Sequence, residues 1–193
     1  MARKPPPAAS SSGTKIIGLD IGYGVTKAVA ADASLMFPSV WGQSREIKFK
    51  AAEIAAKYPG DQLSDDDGDY FIGDLALSQL PAALQRRYRG RTANEQTLGN
   101  VARLRLAKAA LGKLYPGRTD GDTIHMVIST GLPVDHMRGA AELKQTLIGQ
   151  HRIKTDKTDF IANIIDVKVM PQPYGTIYRA MLTEHGKINP CHT

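Results

Sequence analysis

Residues 16–30 read IIGLDIGYGVTKAVA, an apolar run that meets a single aspartate, Asp20, and then two glycines before resuming after Thr26 and Lys27. The segments KIIGLDI and VTKAVA, separated by GYG, predict two antiparallel strands joined by a glycine turn. A carboxylate at the end of a buried strand is costly unless it is paired, hydrated or beside a cation. Gly22 and Gly24 remove side chains and permit positive φ, so backbone N–H groups there can approach phosphate oxygens. Thr26 adds a hydroxyl, and Lys27 adds a point charge able to reach a phosphate. From the spacing alone, a plain hairpin and a phosphate-binding turn both fit. The turn is neither a P-loop nor a dinucleotide fingerprint, because it leads into a strand where both of those lead into a helix.

Working outward, LMFPSVWG predicts a third strand, with Pro38 at an edge or strand end. Between Arg45 and Asp69, AAEIAAKY has helical composition and PGDQLSDDDGD reads as loop, its aspartates forming a solvated hairpin tip. A calcium loop would need a downstream glutamate that this run lacks. YFIGDLA predicts a strand that turns at Gly73. Leu104, Ala107, Leu111 and Leu114 share a helical face, and Pro116-Gly117 ends that helix. Ile124, Met126 and Ile128 alternate as in a strand that runs into the loop STGLP. Ala140, Leu143 and Leu147 predict another helix, FIANIIDVKVM a strand stopping at PQP, and Tyr174, Ile177 and Met181 a last helix. The order is three strands, an insertion, then helix, strand, helix, strand, helix. It predicts an α/β fold whose mixed sheet has an antiparallel three-strand meander followed by parallel strands with crossover helices. Ligands in such sheets sit at the carboxyl ends of strands, where DIGYG, STGLP and PQPYG all fall.

The chain has 193 residues, 42% hydrophobic and 23% charged, ordinary values for a globular domain. No apolar run approaches the roughly 20 residues of a membrane span, and MARKPPPAASSSG has no apolar signal core, so a soluble cytoplasmic protein is expected. The Pro and Ser triplets predict a disordered tail over residues 1–13. The single cysteine, Cys191, excludes an intramolecular disulfide and a thiolate metal cage. The net charge of +6 suits an anionic partner. QRRYRGR at 85–91, continued by Arg103, Arg105, Lys108 and Lys113, offers a nucleic-acid patch or a solvated helix face; the second is expected, since no nucleic-acid module surrounds it. His125 is expected to be a lone core or surface imidazole.

GLDIGYGVTK resembles the first phosphate turn of the actin-like ATPases, the superfamily that includes Hsp70 chaperones and sugar kinases. YFIGDLA, VISTGLPVDHM and VKVMPQPYGTIYRAML resemble segments carried in the same order by bacterial and archaeal actin-like proteins of the ParM/StbA plasmid-segregation type. The likeness runs from Ile16 to Gly186. It implies an RNase H-like, actin-type ATPase domain over residues 14–186, with an insertion around 43–95. It also implies ATP or GTP with Mg²⁺ as cofactors: Asp20 would hold the metal through water, and the backbone of Gly22, Tyr23, Gly24, Val25 and Thr26 would touch the phosphates. Lys27 would contact them by charge. Tyr23 stands where several relatives have Ser or Thr. Gln172, in MPQP, falls where the family keeps a residue that orients the attacking water, a task an amide can perform without being a strong base.

Relatives of this type are about twice as long and close a second domain on the nucleotide. That domain's phosphate turn and adenosine site are missing from the sequence, so residues 187–193 are expected to be a truncated end. The implied function is the nucleotide-binding half of a filament-forming ATPase in plasmid or DNA segregation, weakly active alone. Self-association into filaments and a DNA-binding adaptor protein are the implied partners; no membrane and no direct nucleic-acid contact are expected. The alternatives are a non-enzymatic module that binds intact filaments, direct DNA binding through Arg86–Arg91, and a kinase or chaperone of the same superfamily.

Overall fold

The computed structural model describes residues 13–87, 95–172, 181 and 187. Strands β1 (Lys15–Ile21), β2 (Val25–Val29) and β3 (Ser34–Pro38) form the expected antiparallel meander. Pro38 closes β3, which lies at the edge of the sheet, where its missing N–H breaks no ladder. The chain then departs from the expected single third strand. Ser39 is buried, donates its N–H to Gly24 O, and separates β3 from β4 (Val40–Gln43).

The insertion follows as α1 (Ala51–Lys57), β5 (Gln62–Asp65), β6 (Gly68–Ile72), α2 (Gly73–Gln79) and the two-residue β7 (Arg86–Arg87). One expectation fails here and one holds. QLSD is a strand rather than loop, because its backbone pairs with β6 on one side and with β9 (Gly149–Thr155) on the other while Leu63 is buried. Gly73 turns the chain as expected, at φ +60, and leads straight into α2. Asp61 explains the position of that helix. Its Oδ2 accepts the Leu75 N–H at 3.1 Å, capping α2 from outside, and Lys113 Nζ lies 2.5 Å from Oδ1. Burial pushes the Asp61 carboxyl up, and the Lys113 partner opposes that rise.

Helix α3 (Glu95–Leu114) leads to β8 (Thr123–Leu132), α4 (Ala140–Leu147), β9 (Gly149–Thr155) and β10 (Thr158–Pro171). β8 lies parallel to β1 on one side and to β10 on the other. STGL therefore stays in the ladder to Leu132↔Pro171 and is no loop. β9 escaped the sequence reading because only Ile153 in GQHRIKT is buried; its ladder to β10 makes it a strand. The ten strands run β3-β2-β1-β8-β10-β9-β5-β6-β4-β7. Ile17, Leu19, Ala28, Met126 and Ile128 face α3 and α4 to form the core with Leu106, Ala110, Leu143 and Leu147. The last predicted helix lies outside the described residues except for Met181, which is helical. The tail to residue 12, Tyr88, Arg89, Arg91 and Cys191 also lie outside them.

The basic face of α3 is not solvated. Arg105 is 5% exposed and Lys108 8%, while Lys113 is held by Asp61 and Pro59 O. The Arg105 guanidinium lies 3.7 Å from the Tyr70 ring centroid and 4.8 Å from that of Trp41. Its Nε donates to Asp65 at 2.7 Å, and its Nη2 donates to Asp67 at 2.8 Å and to the Tyr70 hydroxyl at 2.8 Å. The acidic hairpin tip is thus partly a receptor for α3. His125 is likewise partnered, its Nδ1 lying 2.9 Å from the Asn163 amide.

Removing one partner from a buried ion pair leaves the other charge uncompensated. Arg105→Ala is therefore expected to lower unfolding free energy by about 3 kcal/mol. Arg105→Lys is expected to lose less, since it keeps the charge without the fork. Urea denaturation checks both, and a loss near zero would show that the clamp is solvated.

His151 gives a pH dependence. Its Nε2 lies 2.9 Å from Leu147 O, and burial, with Lys108 nearby, holds the imidazole below its ordinary value. The unfolded chain then takes up this proton first as the pH falls. The contribution to stability is full above the ordinary value of about 6.5 and is lost as pH drops toward the folded value. Denaturation midpoints at pH 7.5 and 5.5 should differ in that sense, and His151→Gln should reduce the difference.

Candidate functional site

Residue alternation decides which side chains of the hairpin reach a ligand. In the β1–β2 ladder Asp20 sits opposite Lys27 and Ile21 opposite Thr26, so the two pairs point to opposite faces. Asp20 is half-buried and Lys27 exposed, on the face that α3 does not cover. Among the described residues Lys27 makes no ion pair or side-chain hydrogen bond. The Thr26 hydroxyl is fully buried and shares a 2.9 Å hydrogen bond with Ser39 Oγ. It anchors the turn from beneath and does not face the open side.

The turn itself is tight. The Gly22 N–H donates to Val25 O at 3.0 Å, and a Cβ at Gly22 would stand 3.0 Å from that same oxygen. Gly22 and Gly24 are not among the positive-φ glycines, so close approach, rather than a left-handed backbone, explains Gly22. Nothing lies within 4 Å of a Cβ at Gly24, which leaves open space beside the exposed tip formed with Tyr23.

Gln172 follows β10 directly, and its Nε2 donates to Asp20 Oδ1 at 3.4 Å across 152 residues of sequence. The contact is long for an N–H···O bond, so it positions more than it binds. Gly131 permits it: a Cβ there would lie 3.0 Å from Gln172 Cγ. Asp20, Lys27, Thr130, Gly131, Met170 and Gln172 line an open cleft of about 660 Å³. Behind it a smaller cavity of about 170 Å³ shares Asp20, Thr130, Gly131 and Gln172 and adds Tyr23, Arg103 and His136.

Sequence reading placed Asp20, Lys27 and Gln172, and the fold brings them together. It did not single out Thr130 and Gly131, although STGLP at a strand end was the available signal. Arg103 was read within the basic cluster and His136 not at all; no local pattern marks either.

No group of three or more His, Cys, Asp or Glu side chains suited to a metal occurs among the described residues. One carboxylate beside one amide is a donor set that fits a largely hydrated Mg²⁺, which needs few direct protein ligands, and does not fit a structural metal cage.

A meander continued by parallel strands, with Asp, Lys and Gln gathered at the carboxyl ends, defines a domain of the actin type. The sequence matches the family described as Actin like proteins N terminal domain over residues 18–175, and the chain belongs to that family. Solved structures agree on the fold. The apo ParM protein of psk41 is 19% identical, with a TM-score of 0.68 over 92% of this chain and 55% of its own. The ParM of a 15-stranded filament from Clostridium botulinum is 24% identical, with a TM-score of 0.61 over 86% and 49%. Ta0583, an archaeal actin homologue in complex with ADP, is 18% identical, with a TM-score of 0.59 over 87% and 47%. The chain spans about half the length of these structures. Curated proteins give no match by sequence. No helix among the described residues is long and apolar enough to cross a membrane.

If Gln172 is held by Asp20, Asp20→Ala should move the Gln172 side-chain amide resonance in a ¹⁵N–¹H spectrum. Asp74→Ala, on the exposed start of α2, should leave it in place. A Gln172 signal blind to Asp20→Ala would dissolve the pairing.

Proposed function

We propose that residues 14–186 form the first ATPase domain of an actin-like, filament-forming protein that acts in plasmid or DNA segregation, with residues 43–95 as its insertion. The observation that carries this reading is the convergence of Asp20 on β1, Lys27 on β2 and Gln172, just past β10, on one open cleft. ATP or GTP would lie with its phosphates at the exposed hairpin tip. The N–H of Gly22 is committed to the turn, so Gly24 offers a backbone donor at the tip. Lys27, unpaired among the described residues, supplies the point charge for a β- or γ-phosphate. Asp20 would hold Mg²⁺ through water, and the ion, when bound, neutralises phosphate charge.

Gln172 would orient the attacking water. Its amide hydrogen-bonds Asp20 and sits on a backbone kept close by Gly131, which fixes its direction without giving it strong basicity. The isolated chain would bind nucleotide weakly and hydrolyse it slowly, since its cleft is open on one side and does not exclude water. A ParM filament and the ADP complex of an archaeal actin homologue support assembly and nucleotide binding in relatives of this fold. A DNA-bridging adaptor would complete the segregation role.

Titration calorimetry of the chain with ATP and Mg²⁺ is expected to show a dissociation constant above about 1 μM. Lys27→Ala should weaken it about tenfold or more, and Gln172→Ala should leave it nearly unchanged while slowing hydrolysis. Submicromolar affinity would contradict the weak-binding reading, and no binding at millimolar nucleotide would remove the cleft as a nucleotide site.

A further inference from the structure

The insertion carries a second concave surface that the nucleotide reading does not use. It is a groove of about 610 Å³, lined by apolar Ile47, Ala51 and Ala55, by Arg45, by the exposed Asp69 and by Asp156, which already accepts from the Gly60 N–H and pairs with Lys157. Between two of its lining residues stands Phe49, 82% exposed, the most exposed large hydrophobic side chain among the described residues. Lys48 and Lys50 flank it, both exposed. Lys50 takes φ +55, rare for a side chain other than glycine, and this turn delivers the loop into α1. Lys50 is bound to Glu53 at 3.1 Å, while Lys48 makes no ion pair among the described residues.

An apolar knob between two lysines thus lies beside an apolar groove with a carboxylate edge. A head-to-tail contact needs its two complementary surfaces on different sides of the molecule, whereas a two-fold contact needs them on one self-complementary patch. Knob and groove on a single patch fit the second geometry. Charge points the same way: Lys48 of one copy would meet Asp69 of the other, and Asp69 keeps one oxygen beyond its bond from Ser64.

We propose that this face pairs two copies of the chain about a two-fold axis, each Phe49 filling the other's groove and each Lys48 facing the other's Asp69. The pairing needs no nucleotide and is distinct from growth of a polar filament. The expected affinity is modest, with a dissociation constant on the order of 10–100 μM.

Sedimentation velocity of the full chain without nucleotide, over a concentration series at low and high salt, tests it. A monomer–dimer equilibrium that stops at two and weakens with salt is expected. Phe49→Ala should weaken it about tenfold or more. K48E and D69K should each abolish pairing alone, and an equal mixture should restore it, because a two-fold dimer of the two variants sets opposite charges together at both contacts. All these positions are exposed, so circular dichroism should show an unchanged fold. A chain that stays monomeric throughout, a dimer indifferent to Phe49→Ala, a mixture that fails to pair, or open-ended growth would each overturn the proposal. Failure of nucleotide binding would leave it untouched.

Discussion

Parallel pairing of β8 with β1 on one side and with β10 on the other is the constraint from which the site follows. The ladder aligns Leu19 with Thr130 and Gly131 with Met170, so Asp20, one residue past Leu19, and Gln172, two past Met170, come out at the same end of the sheet. A slip of one residue in either pairing would turn Asp20 or Gln172 to the face packed on α3. The core guards against that slip. Ile17, Leu19, Met126, Ile128 and Val167 are all nearly inaccessible, and a shift would exchange them for Gly18, Ser129 and Lys168.

Helix α3 links this sheet to the insertion. On its length, Arg103 borders the rear cavity behind Asp20, Arg105 is held between Trp41 and Tyr70, and Lys113 pairs with Asp61. A buried arginine and a half-buried lysine therefore fix the insertion to the element that also backs the cleft. The arrangement uses arginine where a planar fork can satisfy Asp65, Asp67 and a tyrosine hydroxyl together, and lysine where a carboxylate and a carbonyl suffice.

Local pattern carried the elements that have their own periodicity. The β1–β2 hairpin, the helical face of Leu104 to Leu114 and the alternation of Ile124, Met126 and Ile128 were legible because burial on one face imposes a period on the chain itself. β5 and β9 were not. Their side chains are mostly polar, and only the hydrogen bonds of distant neighbours make them strands. The same holds for charge: Arg105 and Lys108 sit in a basic run that reads as a solvent face, and nothing near them in sequence reveals Asp65, 40 residues earlier, or the Trp41–Tyr70 pair.

By itself the sequence determined the chemistry on offer, because a carboxylate, a lysine and an amide at strand ends are properties of single residues and short spacings. It also determined the order of the periodic elements, and with the resemblance it carried, the family. The tertiary structure alone decided which of those groups meet. Asp20 and Gln172 are 152 residues apart and touch only through the β1–β8–β10 register; Thr26, adjacent to Lys27, points away because a strand alternates its faces. Contacts between distant segments depend on register and packing, and these are settled by the whole core at once rather than by any stretch of it.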